Sequence, residues 1–393
     1  MPRSIALAVL FVCAGFVSRA DTYLILPFFN ISKAPNLDWV GESISERIRE
    51  VLASEGIIAL EREDRREAYK RLSLRPNSQL TKASVVVLGE SLDADQVIYG
   101  MFEVVPPEDG GKGRGTLRIT AQILDLKKMS RGPEYMELGP LEDLAKLQTL
   151  LAWQTLQFVI PNKAPSQQEF LNRQPAVRVE ALENYVRGLQ ATNADQKLAL
   201  YTQAVRLDPK YSQANYHLGH LLWQKKNYKT AADHLQRVGP ADDHFREANF
   251  YLGLCRYYLG DFAGAQSAFE LVARDVPVNE VLNNLGAAQS RRNIPSALDN
   301  FQKAMDGDPA DPDYQFNVGL ALFKQGNLTS AADRFRAVLE RIPDDAVAMK
   351  MLGRCLRGGQ PRAAERLEAL ERIKTTYSES AYWQLKNLLE PKK

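Results

Sequence analysis

Apolar positions fall into two regimes along the chain. Up to about residue 159, short apolar runs alternate with amphipathic stretches. Beyond about residue 179, apolar residues recur at helical spacing and are punctuated by glycine. An apolar residue followed by Gly returns at Leu218-Gly219, Leu252-Gly253, Leu285-Gly286, Val318-Gly319 and Leu352-Gly353, at intervals of 34, 33, 33 and 34 residues. Gly260, Ala265, Phe269 and Pro277 follow Gly253 at the offsets where Gly326, Ala331, Phe335 and Pro343 follow Gly319. A fixed period near 34 predicts a solenoid of helix–turn–helix units. Small residues let the two helices of a hairpin approach, the aromatic fills the gap to the next hairpin, and Pro closes the second helix.

The first regime predicts an α/β layer domain with one mixed sheet. Tyr23-Leu24-Ile25-Leu26 reads as a buried strand ended by Pro27. Asn36 or Asp38 can cap a helix whose apolar face holds Trp39, Ile44, Ile48, Val51 and Leu52, closed by Gly56. Ile57–Leu60 is a second strand, and helices near 63–73 and 81–92 flank a turn at Pro76-Asn77-Ser78. A third strand, 96–102, pairs as a hairpin with the alternating 116–124. A short strand near Tyr135 and a helix from Leu141 to Val159 complete the region.

The ends and joints add to this picture. Arg3, the apolar run Ile5–Val17 and Ser18-Arg19-Ala20 have the order of a secretory signal peptide with its cleavage site. The run is too short for a hydrocarbon core of about 30 Å, so the expectation is an exported, periplasmic chain starting at Asp21. Cys13 leaves with the signal. Cys255 and Cys355 occupy equivalent positions three repeats apart, where solenoid neighbours do not meet, so no disulfide is expected. The organisation read here is 1–20 signal peptide, 21–160 α/β domain, 161–178 Pro-rich linker, 179–377 helical array of five to six repeats, and 378–393 C-terminal capping helix and tail. A formal net charge of +2 supplies no electrostatic footprint for nucleic acid.

Two resemblances sharpen the reading. The Leu-Gly, Ala, aromatic, Pro order of each period resembles the tetratricopeptide repeat. Leu26-Pro27-Phe28 with Asn30, Trp39–Glu46, Leu117–Asp125 and Pro140–Leu144 resemble the TolB amino-terminal-like domain, a cell-envelope module often joined to such repeats. The related curli-secretion channel family shares the opening strand–Pro–Phe pattern. It inserts long hairpins into a membrane, and the connection from Val105 to Gly115 is too short for strands of about ten residues each.

Candidate chemistry is sparse. His217 and His220 stand three apart on one helix, but no cysteine or convincing carboxylate set completes a metal site around them. Gly110–Gly115 resembles a phosphate loop in composition only, since a strand rather than a helix N-terminus follows it. No enzyme motif is present, and neither a cofactor nor a metal is expected.

The resemblance to tetratricopeptide repeats implies a concave groove lined by the first helix of each hairpin. The positions it implies here are Tyr216, His220, Trp223, Phe250, Leu254, Tyr257, Tyr258, Phe316, Leu320, Phe323 and Lys324, with Asn283, Ala287, Ser290 and Arg291 in the intervening repeat. Trp223, Tyr257 and Phe323 each follow their repeat Gly by four residues and are expected to form an aromatic stripe. The Lys and Asn cluster by which chaperone-binding members hold an acidic peptide terminus reads as missing, so an apolar or amphipathic peptide is expected. The function expected is a non-catalytic protein-binding scaffold of the cell envelope. The alternative is an oligomeric structural component of an envelope secretion or assembly complex.

Overall fold

The computed structural model describes residues 21–32, 34–107, 114–173, 177–359, 370–379, 381–383 and 386. The signal peptide, the Gly-rich tip 110–113 and most of the expected capping helix lie outside them. The chain divides into two compact units, with the main break after Pro165.

The first unit is built on a mixed sheet. Its strands are β1 (Thr22–Ile25), β2 (Phe29–Asn30), β3 (Ile58–Ala59), β4 (Gln96–Val105), β5 (Thr116–Asp125) and β6 (Ser130–Pro140). Their order is β3-β1-β4-β5-β6, with β2 also on β4. β1 pairs in parallel with β3 and β4, whereas β4, β5 and β6 form an antiparallel meander. On β5, Leu117, Ile119, Ala121 and Ile123 are buried and alternate with less buried neighbours. One face therefore covers the core, as period-two alternation requires.

Helices α1 (Trp39–Ser54), α2 (Arg62–Arg71), α3 (Lys82–Glu90) and α4 (Leu144–Val159) accompany the sheet. Ser43 Oγ on α1 donates to Gln148 Oε1 on α4 at 2.8 Å. Asp38 stands before α1 as expected but is itself in helical conformation and makes no side-chain cap. Its carboxylate accepts from Asn30 Nδ2 at 2.8 Å instead, tying β2 to the helix start.

α1 and α2 are joined by a buried ion cluster. Arg65 is 5% and Glu42 6% exposed. Arg65 Nη2 donates to Glu42 Oε1, Arg65 Nη1 donates to Ile25 O at 2.8 Å, and Arg62 Nε donates to the same Glu42 oxygen. Burial alone would raise the Glu42 pKa, but the two guanidiniums outweigh it and the net shift is downward.

The second unit opens with α5 (Gln167–Asn172), inside the segment expected to be a linker. Helical hairpins follow. Their first helices are α6 (Val179–Gln190), α8 (Ser212–Gln224), α10 (Phe245–Tyr258), α12 (Asn279–Arg291) and α14 (Pro312–Lys324), and α16 (Ala346–Leu356) opens the next unit. Their second helices are α7 (Ala194–Leu207), α9 (Tyr228–Leu235), α11 (Phe262–Asp275), α13 (Ala297–Gly307) and α15 (Leu328–Arg341).

The repeat Gly is a close-approach position. A Cβ on Gly286 would come 2.9 Å from the Phe301 ring, and one on Gly253 2.6 Å from Phe269. Gly260 and Gly326 turn the chain between helices at φ +81, which favours glycine. Phe269, Phe301 and Phe335 are fully buried. Both Cys255 and Cys355 are buried free thiols.

Candidate functional site

The first helices carry the site, and the side chains that define it are asparagines. Asn283 and Asn284 on α12 and Asn317 on α14 are fully buried. Side-chain amides need partners when removed from water, and here the partners lie on a distant part of the chain. Residues 370–378 carry no helix or strand and bend at Thr375, and the stretch before the bend lies along these helices. Asn317 Oδ1 accepts from the Arg372 N–H at 2.8 Å, and Asn317 Nδ2 donates to Arg372 O at 2.7 Å. Asn284 repeats the arrangement on Lys374, accepting from its N–H at 2.8 Å and donating to its O at 2.7 Å. Asn283 Nδ2 also donates to Arg372 O at 2.8 Å, and its own Oδ1 accepts from Asn317 Nδ2 at 2.7 Å. Equivalent asparagines 33 residues apart thus hold alternate residues of one extended backbone. Each presents a donor and an acceptor, as a neighbouring β-strand would.

The side chains of the segment alternate in the same way. The Glu371 carboxylate enters a pocket where Oε1 accepts from Lys324 Nζ at 2.6 Å and from Ser290 Oγ at 2.7 Å. Its Oε2 accepts from the Tyr257 hydroxyl at 3.3 Å and lies 3.8 Å from Arg291 Nη1. Burial would raise the Glu371 pKa, yet the Lys324 charge and the hydrogen bonds of Lys324 and Ser290 bring it below its ordinary value. Ile373 packs on the cluster that contains Ala287 and Tyr314.

Arg372 and Lys374 meet the carboxylates at the starts of the first helices. Arg372 pairs with Asp345 at 2.5 Å and Asp313 at 3.5 Å, and its guanidinium lies 3.8 Å above the Phe316 ring. Lys374 Nζ stands 2.7 Å from Asp311 and 2.8 Å from Asp313, and 4.9 Å from the Tyr314 ring centre. Further on, Tyr377 packs on Phe250 at 4.7 Å, and Arg246 pairs with Glu379. The segment therefore runs from the later hairpins towards the earlier ones.

Comparison with known proteins identifies the repeats. Models of the tetratricopeptide repeat match residues 189–244, 247–277, 287–346 and 319–381. The helical array is built of tetratricopeptide repeats. Tetratricopeptide repeat protein 30 homolog of Drosophila melanogaster is 28% identical over 153 residues, which is 38% of this chain and 23% of that protein. The chain thus matches less than a quarter of that relative's length. A solved structure titled as YrrB, a TPR protein with an unusual peptide-binding site, aligns with 43% of this chain and 90% of its own, at 20% identity and a TM-score of 0.40. MamA from Desulfovibrio magneticus RS-1 aligns with 44% of this chain and all of its own, at 20% identity and a TM-score of 0.38.

Within the tetratricopeptide array, seven expected groove residues touch the segment: Phe250, Tyr257, Asn283, Ser290, Arg291, Phe316 and Lys324. Phe250 and Phe316 also pack edge-on against Phe269 and Phe335, so they belong to the wall as much as to the groove. Tyr216, His220 and Trp223 belong to an aromatic cluster of the earlier repeats. His220 stacks near Tyr216, Trp223 and Tyr251, and Tyr216 stacks on His244 at 4.2 Å. Burial, with help from His244, lowers the His220 pKa to about 4.

The remaining positions need correction. Leu254, Leu320 and Phe323 are fully buried, and Leu320 and Phe323 pack in the core of the last hairpins. Tyr258 is exposed and stacks on Tyr228 of α9. Trp223, Tyr257 and Phe323 accordingly form no open stripe, because Phe323 is buried in the core of the last hairpins with the Arg354 guanidinium 4.9 Å from its ring centre. The expectation that a Lys and Asn cluster is missing is also overturned. Lys324, Asn283, Asn284 and Asn317 supply one, and Asn284 and Asn317 stand two residues before the repeat Gly rather than three. The signal was present as an asparagine recurring after 33 residues.

Proposed function

We propose that this chain is a non-catalytic adaptor whose tetratricopeptide groove binds extended protein segments. The observation that carries the reading is the paired asparagines: Asn284 and Asn317 each bond the backbone N–H and C=O of one residue, Lys374 and Arg372 respectively. Such contacts recognise an extended backbone whatever its sequence, while the charged pockets add selectivity. Among the described residues no group of three or more His, Cys, Asp or Glu is placed to hold a metal. In this reading the adaptor works in the cell envelope. The signal-peptide order of residues 1–20 and the resemblance of residues 21–160 to the TolB amino-terminal-like domain support that location.

The test is photo-crosslinking in the native cells, with a benzophenone residue placed at Tyr257 in the groove or at Met129 on the first unit. The expected result is adducts to a second protein species from Tyr257 that are absent from Met129. Adducts confined to the chain itself at both positions would overturn the adaptor.

A further inference from the structure

Resting on that reading, the segment already seated in the groove indicates what the groove selects. We infer that the array recognises an extended segment of another protein in which an acidic residue is followed directly by a cation and, two residues further, by a second cation, and that Glu371–Lys374 holds this place in cis until such a segment displaces it.

The charge order follows from the walls. The acidic residue meets Lys324, Arg291, Ser290 and Tyr257, contributed by three different first helices. The two cations meet Asp345, Asp313 and Asp311, with the faces of Phe316 and Tyr314 beneath them. Exchanging acid and base would set a cation against Lys324 and Arg291, and a carboxylate against three aspartates. Like charges placed together in this way exclude wrong partners more strongly than matched ones attract right ones.

Displacement follows from how the segment is held. Its polar contacts are ones that a second segment of the same pattern replaces one for one. Its apolar contacts are few, mainly Ile373 on the wall and Tyr377 on Phe250. Thr375 and Thr376 are exposed, and the side chains of Arg372 and Lys374 keep 22% and 21% of their surface in solvent. Phe269, Phe301 and Phe335 are fully buried against the repeat glycines of the first helices, and of their clusters the one with Phe301 also receives Ile373 of the segment. A tethered competitor acts at an effective concentration of order millimolar, so it filters out weak partners and yields to matched ones.

The experiment uses a fluorescent peptide of residues 370–379, titrated into the full chain and into a full chain carrying Glu371→Ala, Arg372→Ala and Lys374→Ala. The expected result is binding to the triple variant at least about tenfold tighter than to the wild type. A peptide with acidic and basic residues exchanged should bind about a hundredfold more weakly. A second variant guards against misfolding. Lys324→Glu, added to the triple variant, should lose the native peptide and gain one carrying Glu371→Lys.

Equal binding of the native and exchanged peptides would overturn the inference while leaving the adaptor standing, as would equal binding to the wild type and the triple variant. A wild-type chain that light scattering finds as a dimer, and the triple variant as a monomer, would place the segment in a second copy and overturn the cis arrangement.

Discussion

Lys324 Nζ stands 2.6 Å from Glu371 Oε1 although 47 residues separate them in the chain. Lys324 lies near the end of α14 and Glu371 beyond the last described helix of the array. Their pairing marks where the groove begins to read charge rather than backbone.

Backbone reading depends most on Asn317, which bonds both polar groups of Arg372 and also Asn283. Asn317→Ala leaves the Arg372 N–H and the Asn283 carbonyl oxygen without it. We expect a loss of about 2 kcal/mol in urea unfolding. Amide exchange at Arg372 should accelerate. Asn249→Ala, whose amide bonds Phe245 O within its own helix, should stay within about 0.5 kcal/mol of wild type. Equal effects of the two changes would assign Asn317 to ordinary helix packing.

The repeat glycines are not equivalent. A methyl on Gly286 meets the Phe301 ring at 2.9 Å and Ala297 O at 3.1 Å, whereas on Gly353 the nearest atom is Arg357 Nη1 at 3.4 Å. Gly286→Ala should therefore cost about 1–3 kcal/mol by overpacking. Gly353→Ala should be neutral, or stabilising by up to about 1 kcal/mol through helix propensity. Thermal melts of the two variants decide it, and the opposite order would contradict the packing described.

The aromatic cluster makes stability sensitive to acid. His220 has its folded pKa lowered from 6.5 to about 4 by burial and by His244. The folded chain then binds this proton less readily than the unfolded chain. Stability is complete above pH 6.5 and falls as pH drops from 6.5 towards 4. The loss is on the order of 2 kcal/mol once residual solvent contact is allowed for. His220→Asn should flatten the melting temperature across that window relative to wild type. An unchanged slope would show that other groups carry it.

In the first unit, Glu42 pairs with both Arg62 and Arg65, and its side chain and that of Arg65 are each only 7% exposed. Glu42→Gln leaves a buried guanidinium without its counter-charge and should cost about 3 kcal/mol. Far-ultraviolet circular dichroism during urea unfolding measures it. A cost below about 0.5 kcal/mol would mean that water supplies the missing partner.

Export is tested on the chain's own terminus. Mass spectrometry of the protein recovered from cells should find Asp21 as the first residue. Recovery starting at Met1, or a lipid on Cys13, would contradict the signal-peptide reading.

Much of this architecture was legible as pattern. The period near 34 located the hairpins, and the alternation on 116–124 located a half-buried strand. β2 escaped notice because Phe29 and Asn30 alone make no pattern. β6 spans Ser130–Pro140 where the sequence predicts only a short strand near Tyr135, since Gly132, Pro133 and Gly139 interrupt its pattern.

The groove was less legible for a different reason. Distance from the repeat Gly does not decide which rings face inward, because that depends on what the neighbouring helices pack against each ring. Phe323 and Tyr257 occupy the same offset, and only Tyr257 reaches Glu371. The occupant was harder still to foresee, since Glu371-Arg372-Ile373-Lys374 has the composition of any solvated helix end. Its meaning lies in residues 27 to 114 positions away.

The Glu371 pocket has a mechanical side. In a solenoid each repeat touches its neighbours alone, so unfolding can begin at an end and travel inward one unit at a time. Glu371 is gripped at once from α10, α12 and α14, and Glu379 ties the segment again to Arg246 at the start of α10. The segment is thus a brace across three consecutive hairpins. With the brace in place the array resists stretching as one body. When a partner lifts it out, the superhelix recovers the compliance of an open spring, and the partner's own segment becomes the new brace.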